Sequence, residues 1–373
     1  MAAQSLQQQV VNTLATADVK INGPDPWDLQ VHDKRFYKRI LTDGTLGLGE
    51  SYMDGWWDCQ SIDQFVFKVL RADLYKKANL GWRSVLQVLL AKLLNMQAKG
   101  KAARNAQRHY DIGNKLYELM LDRRMTYSCG YWKGADNLDQ AQENKLDLIC
   151  RKLYLRPGQR VLDIGCGWGS FAGLAAEKYG AEVVGITVSK EQAALARERY
   201  KGLPVEIRLQ DYRDINEQFD HVVSVGMFEH VGYRNHRKFM QVAARCLKDD
   251  GLFLLHTIGH NYSRTSADPF TDTYIFPNCL IPSVKQLGAA MEHIFKVEDW
   301  HNFGPYYDNT LMAWFDNFNR NWDQLQGEYG ERFYRMWKYY LLSSAGSFRA
   351  RNNQLWQLVL SKEGIAGGYT AVR

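Results

Sequence analysis

Residues 161–169 read VLDIGCGWG, an apolar segment that runs into a turn containing three glycines. The glycines stand at positions 165, 167 and 169, and a helical pattern follows at once. Glycine tolerates the tight backbone of such a turn and leaves room for a ligand beside the main chain. A turn of this kind between a strand and a helix is typical of sites for nucleoside-containing cofactors. The dinucleotide fingerprint GxGxxG would require glycine at position 170, where Ser170 stands.

The segments around this turn alternate between strand-like and helix-like patterns. The apolar runs that predict strands are QRVLDIGCG, AEVVGITVS, PVEIRLQD, FDHVVSVGMF and GLFLLHTIG. Segments with helical spacing, such as KEQAALARERY and HRKFMQVAARCL, lie between them. This order predicts an α/β domain with a doubly wound, mostly parallel sheet. Ligands of such sheets bind at the carboxyl ends of the strands.

The spacing GxGxG, with Asp163 inside the preceding strand, is typical of S-adenosylmethionine-dependent methyltransferases of this topology. We predict that Asp163 and the turn at Gly165 and Gly167 face the amino acid part of the cofactor. No acidic residue ends the second strand to bind the ribose, so Thr187 and Gln192 are expected to supply neutral hydrogen bonds. A structural turn without a ligand is the alternative. The residues that end the third strand, and are expected to meet the adenine, are Gln210 and Asp211.

Two further polar residues follow the fourth and fifth apolar runs. Residues 224–232 read SVGMFEHVG, which places Glu229 after the fourth run, and His256 ends the fifth. Both ends are expected on the cofactor side of the sheet. Taken alone, the glutamate is equally an exposed or helix-capping residue, and the histidine a hydrogen-bonded core residue. No role is assigned to His230.

Composition and charge limit the classes of function. The six cysteines form no CxxC pairs, which argues against a disulfide framework and against a metal site. The start MAAQSLQQQVVNTL lacks the features of a signal peptide, and no apolar run approaches the ~20 residues needed to cross a bilayer. We therefore expect a cytoplasmic protein that is soluble or bound to a membrane surface, without a nucleic-acid partner.

The basic residues are concentrated in one segment. Between Leu74 and Tyr110 there is no acidic residue, and the basic ones are Lys76, Lys77, Arg83, Lys92, Lys99, Lys101, Arg104 and Arg108. Such a segment is a candidate site for an anionic surface. Residues 80–96 predict a largely apolar helix, and 99–108 a basic linker. The predicted organisation is an N-terminal domain (1–98), that linker and a catalytic domain (109–373).

The chain resembles the bacterial cyclopropane-fatty-acyl-phospholipid synthases over nearly its whole length. The segments that carry the resemblance include GTLGLGESYMDGWW, HYDIGNKLYELMLDRRMTYSCGYW, VLDIGCGWG, VSVGMFEHVG, DWHNFGPYYDNTLMAW and FRARNNQLWQ. The resemblance implies a seven-stranded sheet of methyltransferase type with a smaller, mainly helical N-terminal domain. It also implies transfer of a methylene group from S-adenosylmethionine to the cis double bond of phospholipid acyl chains, by a homodimer at the inner face of the membrane.

In this family a bicarbonate ion in the active site serves as the base. The residues that match its holders here are Cys129, Glu229, His256, Ile258 through its backbone, and Tyr307. Tyr127 and Ser128 would lie over the cofactor.

Two other functions remain as alternatives. Related folds with similar EH segments include amine N-methyltransferases, which need neither a bicarbonate ion nor a lipid-binding domain. A non-enzymatic, membrane-associated sensor of S-adenosylmethionine would tolerate loss of Glu229, His256 and Cys129, and all three are present. A nicotinamide-dependent oxidoreductase is disfavoured by Ser170.

Overall fold

The computed structural model describes residues 5–74 and 113–373. The predicted helix at 80–96, the linker at 99–108 and the basic residues named above lie outside the described residues. None of the described helices is both long and apolar enough to cross a bilayer.

The elements are numbered along the described chain. The helices are α1 (Leu6–Ala15), α2 (Arg35–Met53), α3 (Ile62–Arg71), α4 (Asn114–Met120), α5 (Leu138–Lys152), α6 (Ser170–Tyr179), α7 (Lys190–Arg199), α8 (His236–Cys246), α9 (Pro269–Tyr274), α10 (Val284–Met291), α11 (Pro305–Arg320) and α12 (Gln326–Arg349). The strands are β1 (Gln30–Val31), β2 (Trp57–Asp58), β3 (Arg160–Ile164), β4 (Glu182–Thr187), β5 (Val205–Leu209), β6 (Phe219–Val225), β7 (Leu247–His260), β8 (Lys296–Asn302) and β9 (Asn353–Ser361).

The described residues form two compact units. The first holds 5–74, Thr265–Pro277 and Tyr307–Asn353, and the second holds 113–264, Asn278–Tyr306 and Gln354–Arg373. Two segments of the first unit thus fall inside the predicted catalytic domain, 109–373. The reason is that α9 packs against α2, and α12 packs against α2 and α3.

The first unit is mainly helical, with a short antiparallel pair formed by β1 and β2. Arg349, near the end of α12, joins three of its helices. Its guanidinium donates to Asp63 at 2.6 Å and to both carboxylate oxygens of Asp308 at 2.9 Å. These charge-assisted hydrogen bonds fix α3 and α11 against α12.

The second unit contains a seven-stranded sheet in the order β5-β4-β3-β6-β7-β9-β8. Strands β3 to β7 pair in parallel, whereas β8 and β9 pair antiparallel. The five predicted strands are confirmed as β3 to β7. The sequence pattern did not single out β8 and β9, although the family resemblance implied seven strands.

Alternation of side chains builds a core on each face of this sheet. Leu162 and Val184 belong to one buried cluster, and their neighbours Val161 and Val183 belong to the other. The first cluster contains residues of α8 and α10, and the second contains residues of α5 and α6. Because successive strand residues point to opposite faces, a strand covered on both sides must be apolar throughout.

The glycine turn crosses β4 at close range. The backbone N–H groups of Gly165 and Cys166 both donate to the carbonyl oxygen of Ile186 at 3.0 Å. A Cβ atom at Gly185 of β4 would lie 3.0 Å from the side chain of Cys166. The turn can therefore lie against β4 only because position 185 has no side chain.

Candidate active site

A cavity opens at the carboxyl ends of the parallel strands in the second unit. Its walls include every predicted cofactor residue, namely Tyr127, Ser128, Asp163, Gly165, Gly167, Thr187, Gln192, Gln210 and Asp211. This is the position at which doubly wound sheets bind their ligands. The structure thus brings the predicted set together around one space.

The three glycines of the turn adopt backbone angles that other residues rarely adopt. Gly165, Gly167 and Gly169 have φ of +84°, +56° and +81°. A Cβ at Gly165 would lie 2.5 Å from the Met227 side chain, whereas a Cβ at Gly167 would meet no heavy atom within 4 Å. Gly167 therefore presents bare backbone to the cavity, where a ligand can approach it closely.

Asp163 is a buried carboxylate at the floor of the cavity. It is 2% exposed, and its Oδ2 atom has no hydrogen-bond partner among the described residues. Burial raises the pKa of Asp163 to about 7, and the positive charge of Lys145 partly opposes that rise. An unpaired buried acceptor of this kind fits the ammonium group of an amino acid. The floor of the cavity thus suits the amino acid part of S-adenosylmethionine.

Thr187 and Gln192 form a hydrogen-bonded pair on the wall that follows β4. The Thr187 hydroxyl donates to Gln192 Oε1 at 3.0 Å and accepts from the Ser189 backbone N–H at 3.2 Å. The Thr187 proton is therefore already used. Because Gln192 accepts through Oε1, its amide N–H group is the donor that the pair can offer to a ribose oxygen.

Asp211 lines the cavity, but its carboxylate is already paired. The Arg213 guanidinium donates to its two oxygens at 2.7 and 2.5 Å, and the Arg213 backbone N–H donates at 3.0 Å. These contacts fix the carboxylate in one orientation. No local sequence pattern predicted this ion pair. Gln210 has its backbone N–H bonded to the Thr187 carbonyl at 3.0 Å.

Glu229 follows β6, as predicted, and lies in a short 3-10 helix (Phe228–His230). Gly226, with φ of +66°, turns the chain after Val225. Glu229 Oε1 accepts from the Ile258 backbone N–H at 2.7 Å, while Oε2 has no partner among the described residues. Burial raises the pKa of Glu229 to about 7.

His256 lies in β7 opposite Val225, the last residue of β6. It does not end the strand as predicted, because β7 continues to His260. The Gln357 amide nitrogen is 3.2 Å from Nδ1 and donates to it, which leaves the ring proton on Nε2. Nε2 has no partner among the described residues. Burial, and then the charges of Lys145 and Lys152, hold the pKa of His256 well below its usual value. The ring is therefore a neutral donor at physiological pH.

The segment Tyr127-Ser128-Cys129 lies beside the end of β6. The Cβ atom of Ser128 lies 3.7 Å from the position that a Cβ atom at Gly226 would occupy. Cys129 is fully buried, and its thiol donates to the Gly130 carbonyl at 3.3 Å. The Tyr127 ring makes an edge contact with Tyr117 at 5.2 Å between centroids.

Ile258 and Tyr307, two of the residues predicted to hold the base, have other contacts in the structure. The Ile258 N–H is bonded to Glu229, so its observed function is to orient that carboxylate. Tyr307 belongs to the first unit, where its ring packs on Phe348 with centroids 4.5 Å apart. Its role at the site stays a prediction.

The sequence pattern missed two residues of α5 and the pairing of His230. Lys145 is 0% exposed and lines the cavity, and Gln142 lies one turn before it on the same side of the helix. A lysine in the run LDQAQENKLDL reads as a solvent-facing residue, so no local signal marked it. His230 also lines the cavity, and its Nδ1 lies 3.1 Å from the Cys279 thiol.

Comparisons with known proteins settle the family. The sequence model of the mycolic acid cyclopropane synthetase family matches residues 97–358. The chain belongs to this family. A cyclopropane-fatty-acyl-phospholipid synthase of Escherichia coli (strain K12) is 51% identical over 360 residues, which cover 96% of this chain and 94% of the relative. A probable fatty acid methyltransferase of Pseudomonas putida is 40% identical, and the match covers 68% of each chain.

Solved structures agree with this assignment. The cyclopropane synthase MmaA2 of Mycobacterium tuberculosis is 31% identical, with a TM-score of 0.67, over 70% of this chain and 98% of its own. The mycolic acid cyclopropane synthase CmaA1, in complex with SAH and CTAB, is 32% identical, with a TM-score of 0.66 and the same coverage. The predicted fold and the predicted enzyme class, an S-adenosylmethionine-dependent methyltransferase, are confirmed.

A more distant likeness shows the fold alone. Coclaurine N-methyltransferase, bound to N-methylheliamine and SAH, has a TM-score of 0.70 and 22% identity, over 84% of this chain and 99% of its own.

Within residues 5–74 and 113–373, no group of three or more His, Cys, Asp or Glu side chains could hold a metal ion.

The glycine turn generates a first prediction. Gly167→Val should abolish binding of S-adenosylhomocysteine, because the new side chain would point into the cavity. Gly202→Val is the control, since Gly202 has φ of +91° and an equally open environment but does not line the cavity. Each variant should lose about 1–2 kcal/mol of stability through its positive φ. Calorimetry and thermal unfolding test this, and near-normal affinity in folded Gly167→Val would contradict it.

The buried carboxyl of Asp163 generates a second prediction. Below about pH 7 this carboxyl is protonated and cannot balance the ammonium of the ligand. As the pH is raised toward about 7, affinity for S-adenosylhomocysteine should therefore increase by up to about tenfold per pH unit, and above about pH 7 it should level off. Calorimetry on Asp163→Asn should show weaker binding without this rise. Glu229→Gln is the control and should keep it; an unchanged pH profile in Asp163→Asn would refute the assignment.

Proposed function

We propose that the protein transfers a methylene group from S-adenosylmethionine to the cis double bond of unsaturated acyl chains in membrane phospholipids, and so forms cyclopropane fatty acids. The observation that carries this proposal is a pair of buried, unpartnered polar atoms beside the cofactor cavity. They are the Glu229 Oε2 acceptor and the His256 Nε2 donor. The identity of 51% to a synthase of this activity supports the same substrate class.

The substrate determines what the site must do. An alkene is a weak nucleophile and carries no acidic proton, so the enzyme must align its π-bond with the cofactor. When bound, S-adenosylmethionine supplies an electrophilic methyl group on sulfur. Positioning of two reactants can account for about 7–11 kcal/mol of a barrier. The rigid turn at Gly165 and Gly167 and the buried Asp163 are suited to fixing one of the two partners.

Methyl transfer to an alkene leaves a carbocation on the acyl chain, which the walls must keep from water. Aromatic side chains adjoin His256 on one side. The Phe303 ring lies 5.9 Å from His256, Tyr131 lies 5.4 Å from Phe303, and Tyr306 lies 5.5 Å from Tyr131. Aromatic faces stabilise a cation by roughly 0.5–2 kcal/mol each. Such rings also exclude water.

Closing the three-membered ring requires a base that removes a proton from the newly transferred methyl group. We assign this role to a bicarbonate ion held by Glu229 and His256, with Cys129 and Tyr307 as further predicted contacts, while the Ile258 N–H orients Glu229. Glu229 Oε2 can accept the OH of the ion, and the neutral His256 can donate to an anionic oxygen. This arrangement would satisfy both unpartnered atoms.

The charge state of Glu229 matters for this role. Burial raises its pKa to about 7, and hydrogen bonds from the backbone N–H groups of Ile258 and Glu229 and from the Thr257 side chain lower it only partly. An ion that donates its own OH to Oε2 would add a further hydrogen bond to the carboxylate form. Binding of the ion and ionisation of Glu229 would therefore favour each other.

An amine N-methyltransferase is the second candidate, and the similar fold of coclaurine N-methyltransferase is its support. The two sequences are 22% identical, and a similarity at this level shows a shared fold only. An amine substrate would require one base to remove its proton. It would form no carbocation on an acyl chain, so the aromatic side chains around Phe303 would have no cation to stabilise. A sensor without activity would require neither feature.

Partners and location follow from the proposed substrate. A phospholipid acyl chain is reached at a bilayer, so we propose peripheral association with the inner face of an anionic membrane. We also propose a homodimer, as the family resemblance implies. The basic segment between Leu74 and Tyr110 is the candidate contact with lipid headgroups.

The proposed reaction is tested with purified protein, S-adenosylmethionine and vesicles of phospholipids that carry cis-unsaturated acyl chains. Mass analysis should show acyl chains that have gained one CH₂ and lost the alkene. Vesicles with saturated chains are the control and should remain unchanged. A product confined to methylated headgroup amines would instead support the N-methyltransferase. The absence of a product from any lipid would contradict the proposal and support the sensor.

Glu229 offers a test of the base. Glu229→Gln should keep its affinity for S-adenosylhomocysteine, while turnover falls by about 10²–10⁴, the usual contribution of a positioned acid–base group. Added bicarbonate should partly restore it, and carbonate-free buffer should slow the wild type. Glu182→Gln, at the exposed start of β4, is the matched control. Full turnover of Glu229→Gln, or of the wild type without carbonate, would show that the assigned base is wrong.

Membrane docking is tested by neutralising Lys76, Lys77, Arg83 and Lys92 together. Each basic residue near an anionic surface contributes about 1 kcal/mol, and salt weakens the effect. The variant should sediment less with anionic vesicles, and the difference should fade at high salt. A control variant neutralises exposed lysines elsewhere, namely Lys190, Lys201, Lys238 and Lys285. Equal binding of both variants and the wild type would exclude this segment as the docking site.

A further inference from the structure

Lys145 is a buried cation in the wall of the cavity. Its side chain is 0% exposed, yet its ammonium makes one hydrogen bond among the described residues, to the Ser128 hydroxyl at 2.9 Å. An ammonium has three N–H donors, so two are left for another partner. A buried charge with so few hydrogen bonds is costly unless a ligand completes its contacts.

The surroundings of Lys145 fix the position of that ammonium. Gln142, one turn earlier on α5, donates to the backbone carbonyl of Ser128 at 2.7 Å. Helix α5 therefore holds Ser128 at two points, through its carbonyl and through its hydroxyl. The hydroxyl of Ser128 accepts from Lys145 and so has its own proton free to donate into the cavity.

Of the other basic groups that line the cavity, Arg213 is paired and His230 is neutral. Arg213 is engaged by Asp211 through a two-point ion pair. Burial lowers the pKa of His230 to about 4, so that ring is neutral. Of the described cavity residues, Lys145 is thus the cation without a paired carboxylate within 4 Å, and Asp163 is a buried carboxylate with an unpartnered oxygen.

The cofactor's amino acid part carries one group of each sign. We propose that Lys145, together with the Ser128 hydroxyl, binds the carboxylate of the methionine part of S-adenosylmethionine, while Asp163 binds its ammonium. Lys145 and Asp163 then recognise the two ends of one zwitterion. The inference rests on the cofactor site of the proposed function, but it is independent of the lipid substrate and of the bicarbonate ion.

The test separates the two charges of the ligand. The probes are S-adenosylhomocysteine, its decarboxylated analogue, which keeps the amine, and its deaminated analogue, which keeps the carboxylate. Calorimetry measures each with the wild type, with Lys145→Met and with Asp163→Asn. A charge-assisted hydrogen bond contributes about 1.5–3 kcal/mol, which corresponds to about 10- to 150-fold in affinity.

At a pH well above 7, where Asp163 stays ionised without Lys145, Lys145→Met should weaken the binding of S-adenosylhomocysteine and of the deaminated analogue by about 10- to 150-fold. Binding of the decarboxylated analogue should stay within about threefold of the wild type. Asp163→Asn should show the opposite selectivity. Equal losses for all three ligands in Lys145→Met would mean that the lysine only supports the fold, and no loss would mean that it does not meet the ligand. Either result overturns the proposal.

Ser128→Ala keeps the proposal testable if Lys145→Met does not fold. It removes the hydroxyl but retains the charge, so it should produce a smaller loss that is again confined to the two ligands with a carboxylate. A loss shared equally by the decarboxylated analogue would overturn the assignment. If the wild type binds none of the three probes, the cofactor assignment itself fails, which is distinct from failure of the Lys145 contact alone.

Discussion

The site depends on the close crossing of the glycine turn over β4. Two consecutive N–H groups, of Gly165 and Cys166, share the Ile186 carbonyl as their acceptor. That contact brings the turn so close to the strand that no side chain fits at Gly185. The crossing fixes where β3 ends, where α6 begins and how much backbone faces the cavity. The cofactor residues that follow β4 and β5 are placed relative to this point.

The cavity and the residues beside it include buried charges that the fold does not satisfy by itself. Asp163 and Glu229 each have an oxygen without a partner in the described chain, and Lys145 has a single hydrogen bond. Burial raises the pKa of Asp163 and of Glu229 and lowers the pKa of Lys145, so it favours the neutral form of each group. Leaving such groups unsatisfied lowers the stability of the empty protein. Ligands that supply the missing contacts would recover that free energy, which is a common arrangement at functional sites.

The relatives named above carry different descriptions: a cyclopropane-fatty-acyl-phospholipid synthase, a probable fatty acid methyltransferase and a mycolic acid cyclopropane synthase. Fold and cofactor chemistry do not by themselves choose among such substrates. The choice depends on the shape and the polarity of the walls beyond the cofactor, and on whether a base is available to close a ring.

The sequence by itself determined the alternation of strands and helices, the glycine turn and the cofactor residues that follow the strands. It did so because hydrophobic periodicity and glycine content are local properties. The tertiary structure alone decided the rest. The Lys145 contact with Ser128, the Gln357 contact with His256 and the Ile258 contact with Glu229 join residues 17, 101 and 29 positions apart. Contacts at such separations leave no periodic trace, and burial, which determines the charge of each group, exists only once the chain has folded.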